Sequence, residues 1–169
     1  MIRYEGFDKQ NLNILAENDE KYIAISKIIK VNGVPIHIRF LDSYRFLPAS
    51  LATLASQLSD DQFKITCALF PNQDLKLIRR KGIYPYDYVT DFSKFDECSL
   101  PPQQEFYSKI RGSGITDDDY HHAQLVWDNL KCRTFGDYHM AYLKLDVTLL
   151  ADILQAFRKS SMQNYGLDP

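Results

Sequence analysis

A tyrosine and an aspartate four residues apart, Tyr142 and Asp146, are the side chains of this sequence best spaced to act together. They lie in a stretch, 134–166, where apolar or aromatic residues recur at steps of three and four, the period of one helix face. Residues four apart on a helix lie one above the other, so the phenol and the carboxylate could reach one ligand. A carboxylate suits a hard cation such as Mg²⁺. The same spacing also fits a packed aromatic beside a hydrogen-bonded acid, and both interpretations stay open on spacing alone.

The ends of this helix are also marked in the sequence. Thr134 with Asp137 three residues later is typical of a capping box, and Gly166 suits the left-handed residue just past a helix end. The sequence therefore predicts one long helix over 134–166, with the pair Tyr142 and Asp146 in its first half.

The first third of the chain predicts strands. Three segments are rich in β-branched, aromatic or alternating apolar residues, namely 12–15, 22–29 and 34–40. Between the last two, Asn32-Gly33 is the strongest short hairpin signal, because both residues take positive φ at low cost. We expect a β-meander over the β-rich segment 1–47.

The middle of the chain, 48–133, predicts short helices and extended connections. Ser50 can cap one helix, and two more are expected on either side of Pro71, the second ended by Gly82. Prolines and aromatics over 83–102 indicate an extended connection that runs along the surface of the protein. A short helix opened by the prolines at 101 and 102 would end at Gly112 and Gly114, and a longer one would run from Thr116 to about Leu130.

Composition bounds the class of protein. A chain of 169 residues, 45% hydrophobic and 25% charged, is ordinary for one globular domain. Its net charge of -2 provides no bulk basic signal, so any contact with nucleic acid must be local. Three widely spaced cysteines favour reduced thiols and an intracellular setting, nuclear or cytoplasmic. The sequence shows neither a signal-peptide pattern nor 18 consecutive apolar residues, so we expect neither secretion nor a transmembrane segment.

Two stretches resemble a known family. Tyr142-Leu143-Lys144-Leu145-Asp146 is similar to the Tyr-x-x-x-Asp of the third exonuclease motif in family B DNA-directed DNA polymerases. Its surroundings, DYHMAYLKLDVTLLADILQAFRKSSMQNYGLDP, resemble the protein-primed group from phages, viruses, linear plasmids and Polinton-type transposons. RKGIYPYDYVTDFSKFDECSLPPQQEFYSKIRG resembles the same group.

The resemblance implies a fold and roles for particular residues. The fold would be α/β (α+β-like), the C-terminal half of an RNase H-like 3′-5′ exonuclease domain. Asp146 would hold one of two Mg²⁺ or Mn²⁺ ions, Tyr142 would orient the attacking water, and Lys81 would contact phosphate near the scissile bond. Lys81 can equally be a basic residue that complements a helix C-terminus.

A second motif of the family concerns DNA binding. Asp42-Ser43-Tyr44-Arg45-Phe46 resembles the short motif, Ser or Thr followed by Leu, that holds the single-stranded primer end, with Tyr44 in place of the usual Leu. A Ser43 hydroxyl on phosphate and a Tyr44 ring under a base would be ordinary contacts with a single strand. A strand-end serine and a buried tyrosine explain the same residues.

Only part of the family's machinery is expected here. Its exonucleases use carboxylates from three motifs, of which Asp146 matches the third, and Asp8 is a weak candidate for the second. Polymerase motifs are not found either. We therefore expect a fragment of a proofreading DNA polymerase without activity of its own, whose partner is single-stranded DNA and, in the full-length family, a terminal protein.

Two alternatives remain open. The chain can be a non-catalytic module, derived from a transposon polymerase, that binds single-stranded nucleic acid or a protein. It can also be a different nuclease that uses Asp8, Asp42 and Asp146. A zinc site is not expected, because the spacing of the candidate ligands fits no usual pattern, these being His121, His122, Cys132 and His139.

Overall fold

The computed structural model of the chain describes residues 12–16 and 22–168. The chain divides into two compact units, Met1–Pro48 and Ala49–Pro169. This division lies next to the predicted change from β-rich to helical sequence after residue 47.

The first unit contains a three-stranded antiparallel sheet in the order β1-β2-β3. Its strands are β1 Leu12–Ala16, β2 Tyr22–Val31 and β3 Val34–Leu41. The turn between β2 and β3 is formed by Asn32 and Gly33, with φ of 52° and 82°. The predicted meander and its Asn-Gly hairpin are confirmed, because the residues that tolerate positive φ stand where the chain reverses.

The second unit is helical in its described residues. Five α-helices follow one another, linked by 3₁₀ turns and extended segments: α1 Leu51–Ser56, α2 Lys64–Leu69, α3 Leu75–Ile78, α4 Asp117–Asn129 and α5 Phe135–Tyr165. The fold is therefore mixed α/β. None of these helices is both long enough and apolar enough to cross a membrane.

Helix α5 is the long helix that the sequence predicts. Thr134 and Asp137 form the capping box, each side chain accepting a hydrogen bond from the other residue's backbone N–H, and Gly166 ends the helix at φ 67°. One face is buried along most of its length, through Tyr138, Tyr142, Leu145, Leu149 and Ile153. The 3.6-residue period of the sequence is thus the period of the buried face.

The core of the second unit lies against the first half of α5. Phe135 and Leu145 are completely buried, and they belong to one cluster with Ile78 of α3 and Val126 of α4. Helices α1 and α2 pack on α5 as well. Burial of this apolar face is the main stabilising contribution, at roughly 25 cal/mol per Å² removed from water.

A buried carboxylate joins α5 to α2. Asp152 of α5 accepts hydrogen bonds from the backbone N–H of Ile65 at 2.8 Å and of Thr66 at 3.0 Å, and from the Thr66 hydroxyl at 2.7 Å. Asp152 is 1% exposed and Thr66 is completely buried. The acid therefore satisfies first-turn N–H groups of a short helix that lacks a side-chain cap of its own.

Two helix ends differ from the prediction. Helix α3 ends at Ile78, and Gly82, predicted to stop it, has no left-handed backbone. The prolines at 101 and 102 precede only a 3₁₀ turn, Gln103–Phe106, rather than a helix that reaches Gly112 and Gly114. Gly112, at φ 66°, instead belongs to a tight hairpin closed by pairing of Ser108 with Ser113.

Candidate functional site

Three of the predicted site residues meet in the second unit. Lys81 lies in the extended segment that follows α3, whereas Tyr142 and Asp146 lie one turn apart on α5. The Lys81 Nζ is 4.0 Å from Asp146 Oδ2, and these side chains are 35% and 22% exposed. The structure thus brings a cation, a phenol and a carboxylate to one place at the surface.

An extended segment holds Tyr142 through alternate residues. Gly82 and Tyr84 lie in the extended part, where alternate residues face the same side, and Tyr86 opens the 3₁₀ turn Tyr86–Tyr88 that follows. A Cβ on Gly82 would lie 2.8 Å from Tyr142 Cδ2, so only a glycine lets the ring lie this close to the backbone. Tyr84 stacks on the Tyr142 ring with centroids 4.6 Å apart, and the hydroxyls of Tyr86 and Tyr142 are hydrogen-bonded.

We call these three residues, Gly82, Tyr84 and Tyr86, the tyrosine clamp. The sequence predicted none of them as a site residue and indicated a helix end at Gly82. Their signal was present as a Gly-x-Tyr-x-Tyr alternation directly after Lys81. This alternation could be interpreted only once Tyr142 was known to lie against it.

Burial raises the pKa of both side chains of the pair on α5. It raises the pKa of the Tyr142 phenol strongly, and the hydrogen bond with Tyr86 and the nearby Asp146 charge act in the same direction. The Tyr142 phenol therefore resists ionisation more strongly than an ordinary tyrosine. Burial also raises the pKa of the Asp146 carboxyl, and this rise is opposed by the Tyr142 hydroxyl and the Lys81 charge.

Asp146 also has unused binding capacity. Its Oδ1 is buried and has no hydrogen-bond partner among the described residues. An unsatisfied buried carboxylate oxygen is costly, and oxygens of this type are ligands for hard cations. No three His, Cys, Asp or Glu side chains of residues 12–16 and 22–168 are grouped as metal ligands would be. Asp146 can hold one ligand position of a cation, but this part of the chain provides no complete site.

A cavity of about 270 Å³ opens beside the tyrosine clamp. Its walls combine cationic and aromatic side chains, among them Arg80, Lys81, Tyr86, Tyr107, Arg111 and Tyr142. Arg80 forms an ion pair with Asp119 at 2.6 Å, and Lys81 lies near Asp146. Cations next to aromatic faces are the usual lining of a groove for single-stranded nucleic acid.

Ser43 and Tyr44, the predicted DNA contacts, belong to the first unit. They open the 3₁₀ turn Ser43–Arg45, and the Asp42 carboxylate accepts a hydrogen bond from the Tyr44 N–H at 3.0 Å. Tyr44 is 62% exposed, so the alternative of a buried tyrosine is wrong. Its exposed ring is free to stack on a base. Asp42 belongs to this unit too, and Asp8 lies outside the described residues.

The histidines and Cys132 have other surroundings. The Nδ1 of His139 is hydrogen-bonded to the Tyr84 hydroxyl at 2.7 Å, so His139 helps to hold Tyr84 of the tyrosine clamp in place. Cys132 is partly buried, and this burial raises its pKa to about 11. His122 is buried on α4 next to the core.

Comparison with models of known protein families, with curated proteins and with solved structures found no match to this chain.

Proposed function

We propose that this chain is the C-terminal half of an RNase H-like 3′-5′ exonuclease domain from a protein-primed family B DNA polymerase. By itself it binds the 3′ end of single-stranded DNA without cleaving it. One observation supports this proposal above the others: Lys81, Tyr142 and Asp146, which the family resemblance assigns to one site, lie together beside a cationic and aromatic cavity.

Each of the three side chains suits a phosphate at a strand end. The Lys81 ammonium can stabilise negative charge on a phosphate oxygen. The Tyr142 phenol is protonated at physiological pH, as tyrosines with an unlowered pKa are, and it can donate a hydrogen bond to a phosphate oxygen or to a water. The tyrosine clamp fixes the position of that hydroxyl, since the ring contacts Gly82 and Tyr84 and the hydroxyl contacts Tyr86.

A divalent cation would be held only in part. The unpartnered Oδ1 of Asp146 fits one ligand of Mg²⁺ or Mn²⁺, and such an ion would stabilise charge on a bound phosphate. Phosphodiester hydrolysis by two metal ions needs further carboxylates. We therefore expect binding of a strand end by this chain and no turnover.

DNA binding is tested by fluorescence anisotropy with a labelled oligothymidylate. The intact chain should bind it with an affinity that falls as salt rises, and Lys81→Ala should weaken binding and lower the slope of log K against log salt by about 0.7, the value for one lost phosphate contact with a single strand. Lys144→Ala, an exposed lysine on the other side of α5, is the matched control and should leave the slope unchanged. Absence of binding by the wild-type chain would contradict the proposal and favour a protein-binding module instead.

Catalysis is tested by incubating the same oligonucleotide with Mg²⁺ or Mn²⁺ and separating the products by length. We expect no shortening by the wild-type chain. Shortening that is lost in Asp146→Ala would show that the chain is a complete nuclease and that the proposed inactivity is wrong.

A further inference from the structure

One wall of the cavity is a small hairpin to which the family resemblance assigns no role. The Ser108 N–H donates to the Ser113 carbonyl at 2.9 Å, and the Gly112 N–H donates to the Ser108 carbonyl at 2.8 Å. Gly112 takes the positive φ that this reversal requires. The four residues between the serines, 109–112, therefore form a closed and defined turn.

The hairpin is attached to the segment that carries the tyrosine clamp. The Asp87 carboxylate accepts a hydrogen bond from the Lys109 N–H at 2.9 Å, and Asp87 follows Tyr86 directly in the chain. The Arg111 N–H is held by the Ser108 hydroxyl at 3.3 Å. The start of the turn is thus fixed next to the residues that contact Tyr142, and its other end is held by a bond within the hairpin.

Two side chains of this region line the cavity and have no competing interaction. Arg111 is exposed and, unlike Arg80 and Lys81, it has no carboxylate partner in the described part of the chain. Tyr107, the residue that precedes the hairpin, is 49% exposed, and within the same residues its ring packs on no other aromatic ring. A cation without a partner beside an open aromatic face can bind a phosphate and stack on its base.

We propose that Tyr107 and Arg111 form a second nucleotide subsite for single-stranded DNA, in which the ring of Tyr107 stacks on a base and Arg111 binds a phosphate. This inference rests on the proposed function, because the strand end held at Lys81 and Tyr142 brings the next nucleotides into the same cavity. The turn residues Lys109 and Ile110 point away into solvent, Ile110 being 97% exposed, so the strand can leave the cavity over the hairpin.

Salt titrations of oligothymidylate binding separate the two side chains of the subsite. Arg111→Ala should weaken binding and lower the slope of log K against log salt by about 0.7, because one phosphate contact is lost. Tyr107→Ala should weaken binding by roughly tenfold at every salt concentration, because stacking involves no counterion release. The exposed residues Lys144 and Tyr165, each changed to Ala, are the matched controls and should bind as the wild type does.

An abasic oligonucleotide of equal length distinguishes stacking from a general loss of structure. The effect of Arg111→Ala should persist on it, whereas the effect of Tyr107→Ala should disappear. Wild-type affinity in both variants, together with weakened binding in Lys81→Ala, would overturn the subsite and leave the proposed function standing. A wild-type chain that binds no oligonucleotide would overturn both.

Discussion

Removal of the Asp152 carboxylate should destabilise the second unit more than any exposed substitution on the same helix. Asp152→Ala deletes the acceptor of two backbone N–H groups and of the Thr66 hydroxyl in a site that is 1% exposed. A buried donor left without a partner costs about 1–3 kcal/mol. Because the hydroxyl can turn to another acceptor while the N–H groups of Ile65 and Thr66 cannot, we expect a loss of about 3–5 kcal/mol.

That loss is large relative to the free energy of unfolding of a typical domain, about 5–15 kcal/mol. The assay is urea unfolding followed by the fluorescence of Trp127, the only tryptophan of the chain. With a slope of about 2 kcal/mol per molar urea, the midpoint should fall by about 2 M. Gln155→Ala, an exposed change one turn along α5, is the control and should move the midpoint little.

Thr66→Val refines the same test, because it keeps the shape of the side chain and removes only the hydroxyl donor. It should cost about 1 kcal/mol, the usual net contribution of one hydrogen bond. An Asp152→Ala midpoint no lower than that of Gln155→Ala would refute the reasoning, since the N–H groups of α2 would then have found other partners at no cost.

Two further predictions concern the site and the core. Gly82→Ala should lower the free energy of unfolding by about 1–3 kcal/mol and weaken oligothymidylate binding in the anisotropy assay, because its Cβ would lie 2.8 Å from the Tyr142 ring. Gly114→Ala meets nothing within 4 Å and should leave the urea midpoint unchanged. Burial lowers the pKa of His122 to about 4. Between pH 6.5 and 4 this histidine is therefore protonated in the unfolded chain but not in the folded chain. The free energy of unfolding should fall by up to about 3 kcal/mol as the pH is lowered through this range. The difference between the urea midpoints at pH 6.5 and pH 4 should be smaller in His122→Leu than in the wild type. It should be unchanged in His121→Leu, the exposed control.

Local chemistry determined those elements that the sequence predicts correctly. Asn32-Gly33 marks a reversal because both residues tolerate positive φ, and Thr134 with Asp137 begins a helix because their side chains satisfy N–H groups close in sequence. The long buried face of α5 follows from the 3.6-residue period of its apolar side chains. Signals of this kind act within a few residues, so a single sequence displays them.

The pairing of distant segments was decided by the tertiary structure. Gly82 looked like the end of a helix, but the space that it provides is used by Tyr142, sixty residues later in the chain. Asp152 looked like an ordinary helix acid, yet it caps α2 from the other side of the core. Neither role has a local signature, because a contact between residues far apart in sequence depends on which faces pack together.

The candidate site illustrates the same division. Spacing placed Tyr142 and Asp146 on one helix face, and the family resemblance added Lys81. Only the packing of the extended segment on α5 put the Lys81 ammonium 4.0 Å from the Asp146 carboxylate, buried the Tyr142 phenol and raised its pKa. Helix geometry sets which side chains share a face, whereas burial and neighbouring charge, which set protonation and reactivity, arise only when separate segments come together.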